Sequence, residues 1–169
     1  PLASRSASSL LAFLILRRER AQTRDVLAGR FWSDLAEDKA RRRLSNALWM
    51  IRRAFHVVGA GDPLETTSST IGISRRFDVD VDVERLEQHL DVLERQLRQD
   101  LRTVDVDELA AVIESYTGEL LDGYYDDWID DHRQRVHDRY LGGLGTLVRL
   151  TTGAGSYEIA LRYARQLVL

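Results

Sequence analysis

The sequence predicts a mainly α protein: a winged helix-turn-helix with a short β-hairpin, followed by a tetratricopeptide-like all-α domain. Three observations predict it. The stretch KARRRLSNALWMIRRAFH, Lys39 to His56, contains Lys39, Arg41, Arg42, Arg43, Arg52 and Arg53 and no acidic residue, yet Leu44, Leu48, Ile51 and Phe55 recur through it at helical spacing. An alternating, Thr-rich run, LETTSSTIGIS from Leu64 to Ser74, follows it and reads as a hairpin. Charge then reverses. Residues 1–76 carry 14 cationic against 7 acidic side chains, a net of +7, whereas residues 77–169 carry 10 against 20, a net of −10. A reversal of that size divides the chain into two modules with different partners, residues 1–77 and 78–169.

The elements follow in order. Ser4 to Arg18 is a first helix, capped by Ser4, with Leu10, Leu11, Leu14 and Ile15 as its apolar stripe. Thr23 caps a second, with Asp25 in its first turn and Val26, Leu27, Phe31 and Trp32 as its buried face. Ser33 to Glu37 connects it to the long basic helix, from about Asp38 to His56, which Gly59, Gly61 and Pro63 end. Helix, short turn, helix and hairpin make a winged helix-turn-helix.

The acidic half carries no strand signal. Val83, Leu86, Leu90, Leu93 and Leu97 step along one helix. Asp105 caps the next, with Leu109, Val112, Ile113 and Tyr116 on one face, and Gly118 breaks it. A long helix then starts near Tyr124, burying Trp128, Ile129, Val136, Tyr140, Leu144, Leu147 and Val148. Gly142, Gly143 and Gly145 each weaken that helix, so they are expected to permit a close helix crossing. After the turn GAGS, Ser156 caps a last helix, YEIALRYARQLVL. Paired antiparallel helices with short loops suggest a tetratricopeptide-like solenoid, although no 34-residue repeat stands out.

Composition narrows the function. A chain that is 44% hydrophobic and 30% charged is ordinary for a soluble globular protein. The absence of cysteine excludes disulfide frameworks, cysteine zinc sites and thiol nucleophiles, and fits the reducing cytoplasm expected as its location. LLAFLIL, Leu10 to Leu16, is too short to span a bilayer, and the charges that follow it exclude a signal peptide, so no membrane partner is expected. The chain starts at Pro1 without a methionine and ends inside an apolar pattern at Leu169, and so reads as a fragment.

With Leu44, Leu48, Ile51 and Phe55 turned to the core, Arg41, Arg42, Ser45, Asn46, Trp49, Arg52 and Arg53 fall on the outer arc of the basic helix or at its edges. Arg reads guanine bidentately, Asn reads adenine, and Ser bonds bases or phosphates. These seven are the candidate contacts to double-stranded DNA, Arg52 and Arg53 suiting phosphates. Thr67 and Thr70 of the hairpin, beside Arg75 and Arg76, are candidates for holding the DNA backbone. Trp49 could stack on a sugar or a thymine methyl, but packing on the hairpin or the second domain is its expected role.

Enzymatic readings find no support. His132 and His137 are five residues apart and so lie on different helix faces, and the neighbouring DDWIDDH reads as a solvated acidic face or a dock for a basic helix. VVGAGDP lacks both a dinucleotide-binding glycine pattern and a phosphate-loop lysine. VDVDVE lacks the glycine and ligand spacing of a calcium loop. No catalytic residue, metal site or cofactor is expected.

Several segments together resemble the winged-helix plus bacterial transcriptional activator domain (BTAD) pair of the Streptomyces antibiotic regulatory protein family. They are LLAFLILRRERAQTRDVLAGRFW, EDKARRRLSNALWMIRRAF, TIGIS, DVDVERLE, YTGELLDGYYDDWIDDHRQRVHDRYL and YEIALRYARQL. GELLDGYYDDWIDDHR is the most telling, with its Gly-x-Leu-Leu, acidic-Trp pair and downstream Arg. The resemblance implies that the basic helix is a recognition helix, that the hairpin is a wing, and that residues from about Val79 form the activator domain. It implies binding to promoter repeats, often as a side-by-side homodimer, and recruitment of RNA polymerase. It also implies an N-terminal sheet before Leu2 and further helices after Leu169. The family usually places small polar or basic residues where this chain has Trp49 and Met50, whereas Arg42, Ser45, Asn46, Arg52 and Arg53 match it better. The rival expectation is a protein-interaction module of a larger signalling ATPase, in which the winged helix no longer binds DNA and Trp49 is buried in a protein contact.

Overall fold

The computed structural model describes residues 2, 4–99 and 105–168. Leu169, the end of the expected last helix, lies outside the described residues. The described residues form seven helices and a small three-stranded antiparallel sheet, so the protein is mainly helical. The chain divides into two compact units, Pro1–Asp80 and Val81–Leu169.

In the first unit, α1 (Arg5–Leu16) starts where the Ala7 amide donates to Ser4 Oγ, satisfying a donor that the first turn leaves open. It buries Ala7, Leu10, Phe13 and Leu14. A two-residue strand, β1 (Gln22–Thr23), leads directly into α2 (Arg24–Phe31), which Thr23 caps through the Val26 amide. Leu27 and Ala28 are the buried residues of α2, and Phe31 meets Phe13 edge-to-face at 5.6 Å. Val26 departs from expectation. It is 51% exposed, because the short α2 presents only the 27–28 side to α3.

The long basic helix is α3 (Glu37–Val57), with Glu37 and Asp38 in its first turn, where they favour the positive end of the helix dipole. It buries Ala40, Leu44, Ala47, Leu48 and Ile51 against α1 and α2. Its end is a Schellman motif. Gly59 at φ 71° lets its own amide reach His56 O while the Ala60 amide reaches Phe55 O. Phe55 is half-buried and stacks edge-on against Phe77 at 5.2 Å.

The hairpin forms from β2 (Leu64–Thr66) and β3 (Thr70–Ile73), with Leu64 opposite Ile73. β1 adds to its other side, Gln22 opposite Ile71, giving the order β1-β3-β2. The sequence reading missed β1. Two polar residues carry no alternation, and their partner lies far along the chain. Gly72 sits where β3 passes Ala21, and a Cβ there would be 3.4 Å from Ala21 Cα.

The second unit contains α4 (Asp82–Gln99), α5 (Val106–Glu114), α6 (Asp127–Gly153) and α7 (Tyr157–Gln166). Val83, Leu86, Leu90 and Leu93 of α4 and Leu109, Val112 and Ile113 of α5 pack on α6 through Ile129, Val136, Leu144 and Leu147. Arg135 and Arg139 of α6 reach across to Glu87 and Asp91 of α4. A second Schellman motif, at Gly155 (φ 76°), turns the chain from α6 into α7.

Two expectations for α6 are corrected. It starts at Asp127 rather than near Tyr124, because residues 115–126 form an irregular loop held by Arg133. Tyr140 and Val148 are half-buried rather than core. Among the three glycines only Gly143 marks a close crossing. A Cβ there would collide with Ile113 Cδ1 and press on Leu90 Cδ2, whereas Gly142 and Gly145 have open space. Gly143→Val is therefore expected to destabilise the second unit by about 1–3 kcal/mol through overpacking. Gly142→Ala is expected to stabilise it by about 0.5–1 kcal/mol through helix propensity. Urea unfolding of both variants checks the pair, and equal shifts of one sign would contradict the assigned crossing.

Candidate nucleic-acid interface

The outward side of α3 gathers Lys39, Arg42, Arg43 and Arg53, all exposed. Residues on a helix advance by about 100° each, so the buried set at 40, 44, 47, 48 and 51 fixes the opposite direction. Arg42, Asn46, Trp49 and Arg53 occupy that direction at steps of four, three and four. They form one row about 16 Å long, and all four side chains are exposed. Lys39 and Arg43 flank the row on one side, also exposed.

The candidate residues separate into two groups. Arg41, Ser45 and Arg52 lie on the flank that faces α2 and the hairpin, and their polar atoms are used within the unit. Arg41 donates from Nε and Nη2 to Asp25 Oδ1 at 3.2 and 3.1 Å, and Nη2 lies 2.6 Å from Glu37 Oε1. The Asp25 hydrogen bond, then the nearby Glu37 and Asp25 charges, raise the Arg41 pKa above its ordinary value. Ser45 Oγ donates to Arg41 O at 3.0 Å. Arg52 donates from Nε to Asp62 Oδ2 at 2.8 Å and from Nη2 to Thr66 Oγ1 at 2.9 Å. Asp62 in turn accepts from the Leu64 amide, so Arg52 fastens the start of β2 to α3.

Arg42, Arg43, Lys39 and Arg53 have no ion-pair partner among the described residues. Arg53 instead lies over the Trp49 ring, its guanidinium carbon 5.1 Å from the centroid. Trp49 is 55% exposed, more than close packing on the hairpin would leave. An indole at position 49 points away from the core stripe by nearly half a turn of the helix.

The hairpin tip is internally organised. Thr67 Oγ1 accepts from the Ser69 and Thr70 amides at 3.2 and 2.9 Å. Both of its lone pairs are then engaged, so in the 2.8 Å contact with Thr70 Oγ1 it is Thr67 that donates. This leaves the Thr70 hydroxyl proton available to an outside acceptor, and Thr67 as the residue that shapes the turn. Arg24 holds the tip from α2, its amide donating to Ser69 O and its Nε to Thr67 O. The sequence reading did not single out Lys39 and Arg43 as contacts or Arg24 as a brace. A helical projection finds the first two, but only tertiary structure finds Arg24.

In the second unit His132 is buried on α6, its Nδ1 accepting from Arg135 at 3.0 Å, while His137 is exposed. Among the described residues no group of three or more His, Asp or Glu side chains is gathered as metal ligands, and no helix is long and apolar enough to cross a membrane. No protein-family model matches the chain, and no curated protein is significantly similar to it.

Proposed function

We propose that the chain is a sequence-specific DNA-binding transcriptional regulator, an activator. The first unit acts as a winged helix-turn-helix: α3 enters the major groove and the hairpin lies against the DNA backbone. The second, acidic unit acts as a tetratricopeptide-like activator domain that contacts RNA polymerase. The observation that carries this reading is the row Arg42–Asn46–Trp49–Arg53. Arg42 suits guanine, Asn46 suits adenine, and Trp49 and Arg53 suit the groove wall, and the four lie along one exposed line, which supports the reading. The flank residues Arg41 and Arg52 instead tie α3 to α2 and to the hairpin, which holds the row rigid.

Selection of duplexes from a random pool, followed by fluorescence anisotropy on the selected and scrambled sequences, tests the reading. Preference for the selected duplex is expected, with a log–log salt slope of about −3 to −4, as about four neutralised phosphates give. Equal, weak binding to both duplexes would favour a protein partner for α3 instead.

A further inference from the structure

The row contains one residue that neither its charge nor its fold explains. Trp49 is a large apolar side chain, 55% exposed, in the middle of a cationic line. A surface role confined to this unit would leave most of the indole in water, which disfavours it in the free protein. Asn46 stands one turn before it on the same line, and Arg53 one turn after. Arg53 covers the ring through its π-face. A guanidinium over a ring face still has N–H donors for phosphate oxygens.

Resting on the DNA-binding reading above, we infer that Trp49 is a specificity residue that reads the 5-methyl group of a thymine, beside an adenine read by Asn46. The chemistry is complementary. Adenine presents N7 and the N6 amine in the major groove, which suits the Asn46 amide, and thymine presents there the apolar methyl group that the free part of the indole can cover. The element read by this part of α3 is thus A·T. Arg53, held against the ring, anchors on the adjoining phosphate, so Trp49 also fixes where that charge stands.

The test replaces each thymine of the selected duplex by deoxyuridine, one at a time, which removes only the methyl group. Wild-type protein is expected to lose about four-fold in affinity at one or two positions, as loss of one buried methyl implies. Trp49→Ala is expected to bind more weakly and to be indifferent to uracil at those positions, while Trp49→Phe keeps part of the sensitivity. Because Trp49 is exposed, both variants should melt like the parent. Wild-type protein that prefers its selected duplex but ignores uracil everywhere would overturn the inference and leave the DNA-binding reading standing. Uracil sensitivity that persists in Trp49→Ala would overturn it too, by assigning the methyl to another residue. Failure to select any sequence would remove both readings together.

Discussion

Arg133→Ala is expected to lower the stability of the second unit by about 3 kcal/mol, a fall of about 12–20 °C in the melting temperature of a unit this size. The reason is the loop between α5 and α6. Residues 115–126 make no regular ladder, and their carbonyls need donors. Arg133, on the second turn of α6 and with only 13% of its side chain exposed, supplies them. Its Nε donates to Leu120 O at 2.8 Å, and its Nη2 donates to Leu121 O at 2.8 Å and Tyr124 O at 2.6 Å. Leu121 sits at φ 53°, a left-handed conformation that a branched residue adopts only when its surroundings hold it there. Glu119 and Asp130 lie at 3.7 and 3.6 Å but are mostly exposed, so they add little. Loss of the fork takes the Arg133 donors from three carbonyls, of which Leu121 O keeps the Tyr124 amide, and loosens the strained loop. Arg133→Lys is expected to recover less than half, since a compact ammonium cannot span a planar fork. With Trp32 and Trp49 replaced by Phe, the buried Trp128 reports this unit alone during urea unfolding. A change under about 0.5 kcal/mol for Arg133→Ala would refute the clamp.

The contrast between that loop and the helices shows what sequence can reveal. The helices announce themselves locally. Ser4, Thr23 and Asp105 cap where their side chains predict, and the α3 stripe of Leu44, Leu48 and Ile51 is buried as its spacing requires. Helical periodicity depends on residues three and four apart, so a single sequence contains the whole signal. The loop does not announce itself. YYDDW has enough apolar and acidic residues to pass for the start of α6, and the bonds from Arg133 that hold the loop are not visible in it. β1 is similar: Gln22 and Thr23 are a strand because Ile71 and Thr70 are there to pair with them.

The candidate interface was legible to the same extent. Periodicity places Arg41, Arg42, Ser45, Asn46, Trp49, Arg52 and Arg53 away from the core, and they are away from it. Which of them are committed elsewhere depends on Asp25 and Asp62, which belong to α2 and to the approach to β2. Nothing in the local sequence pairs those acids with those arginines. The exposure of Trp49 is not legible for a related reason. A tryptophan is more often packed than exposed, and composition does not show that this one is 55% exposed.

That division of the arginines yields the sharpest functional prediction. The double variant Arg42→Ala/Asn46→Ala is expected to lose about 3–5 kcal/mol of affinity for the selected duplex, since each base-reading side chain contributes about 1–3 kcal/mol. Binding to scrambled DNA should fall far less, because only the Arg42 charge contributes there, and the preference between the two duplexes should nearly vanish. Arg41→Ala, one residue away and the same change in charge, is expected to leave the preference between the two duplexes nearly intact. Its guanidinium already faces Asp25 and Glu37, and removing it leaves those carboxylates at the flank rather than a gap in the row. Arg53→Ala should fall between them, weakening both duplexes alike and reducing the salt slope by about one. Anisotropy titrations of the four proteins on both duplexes at two salt concentrations separate these outcomes. If Arg41→Ala costs as much specificity as Arg42→Ala/Asn46→Ala, the row is not the reading edge, and α3 meets DNA through the flank beside the hairpin. If neither variant changes the preference, base reading does not reside on α3.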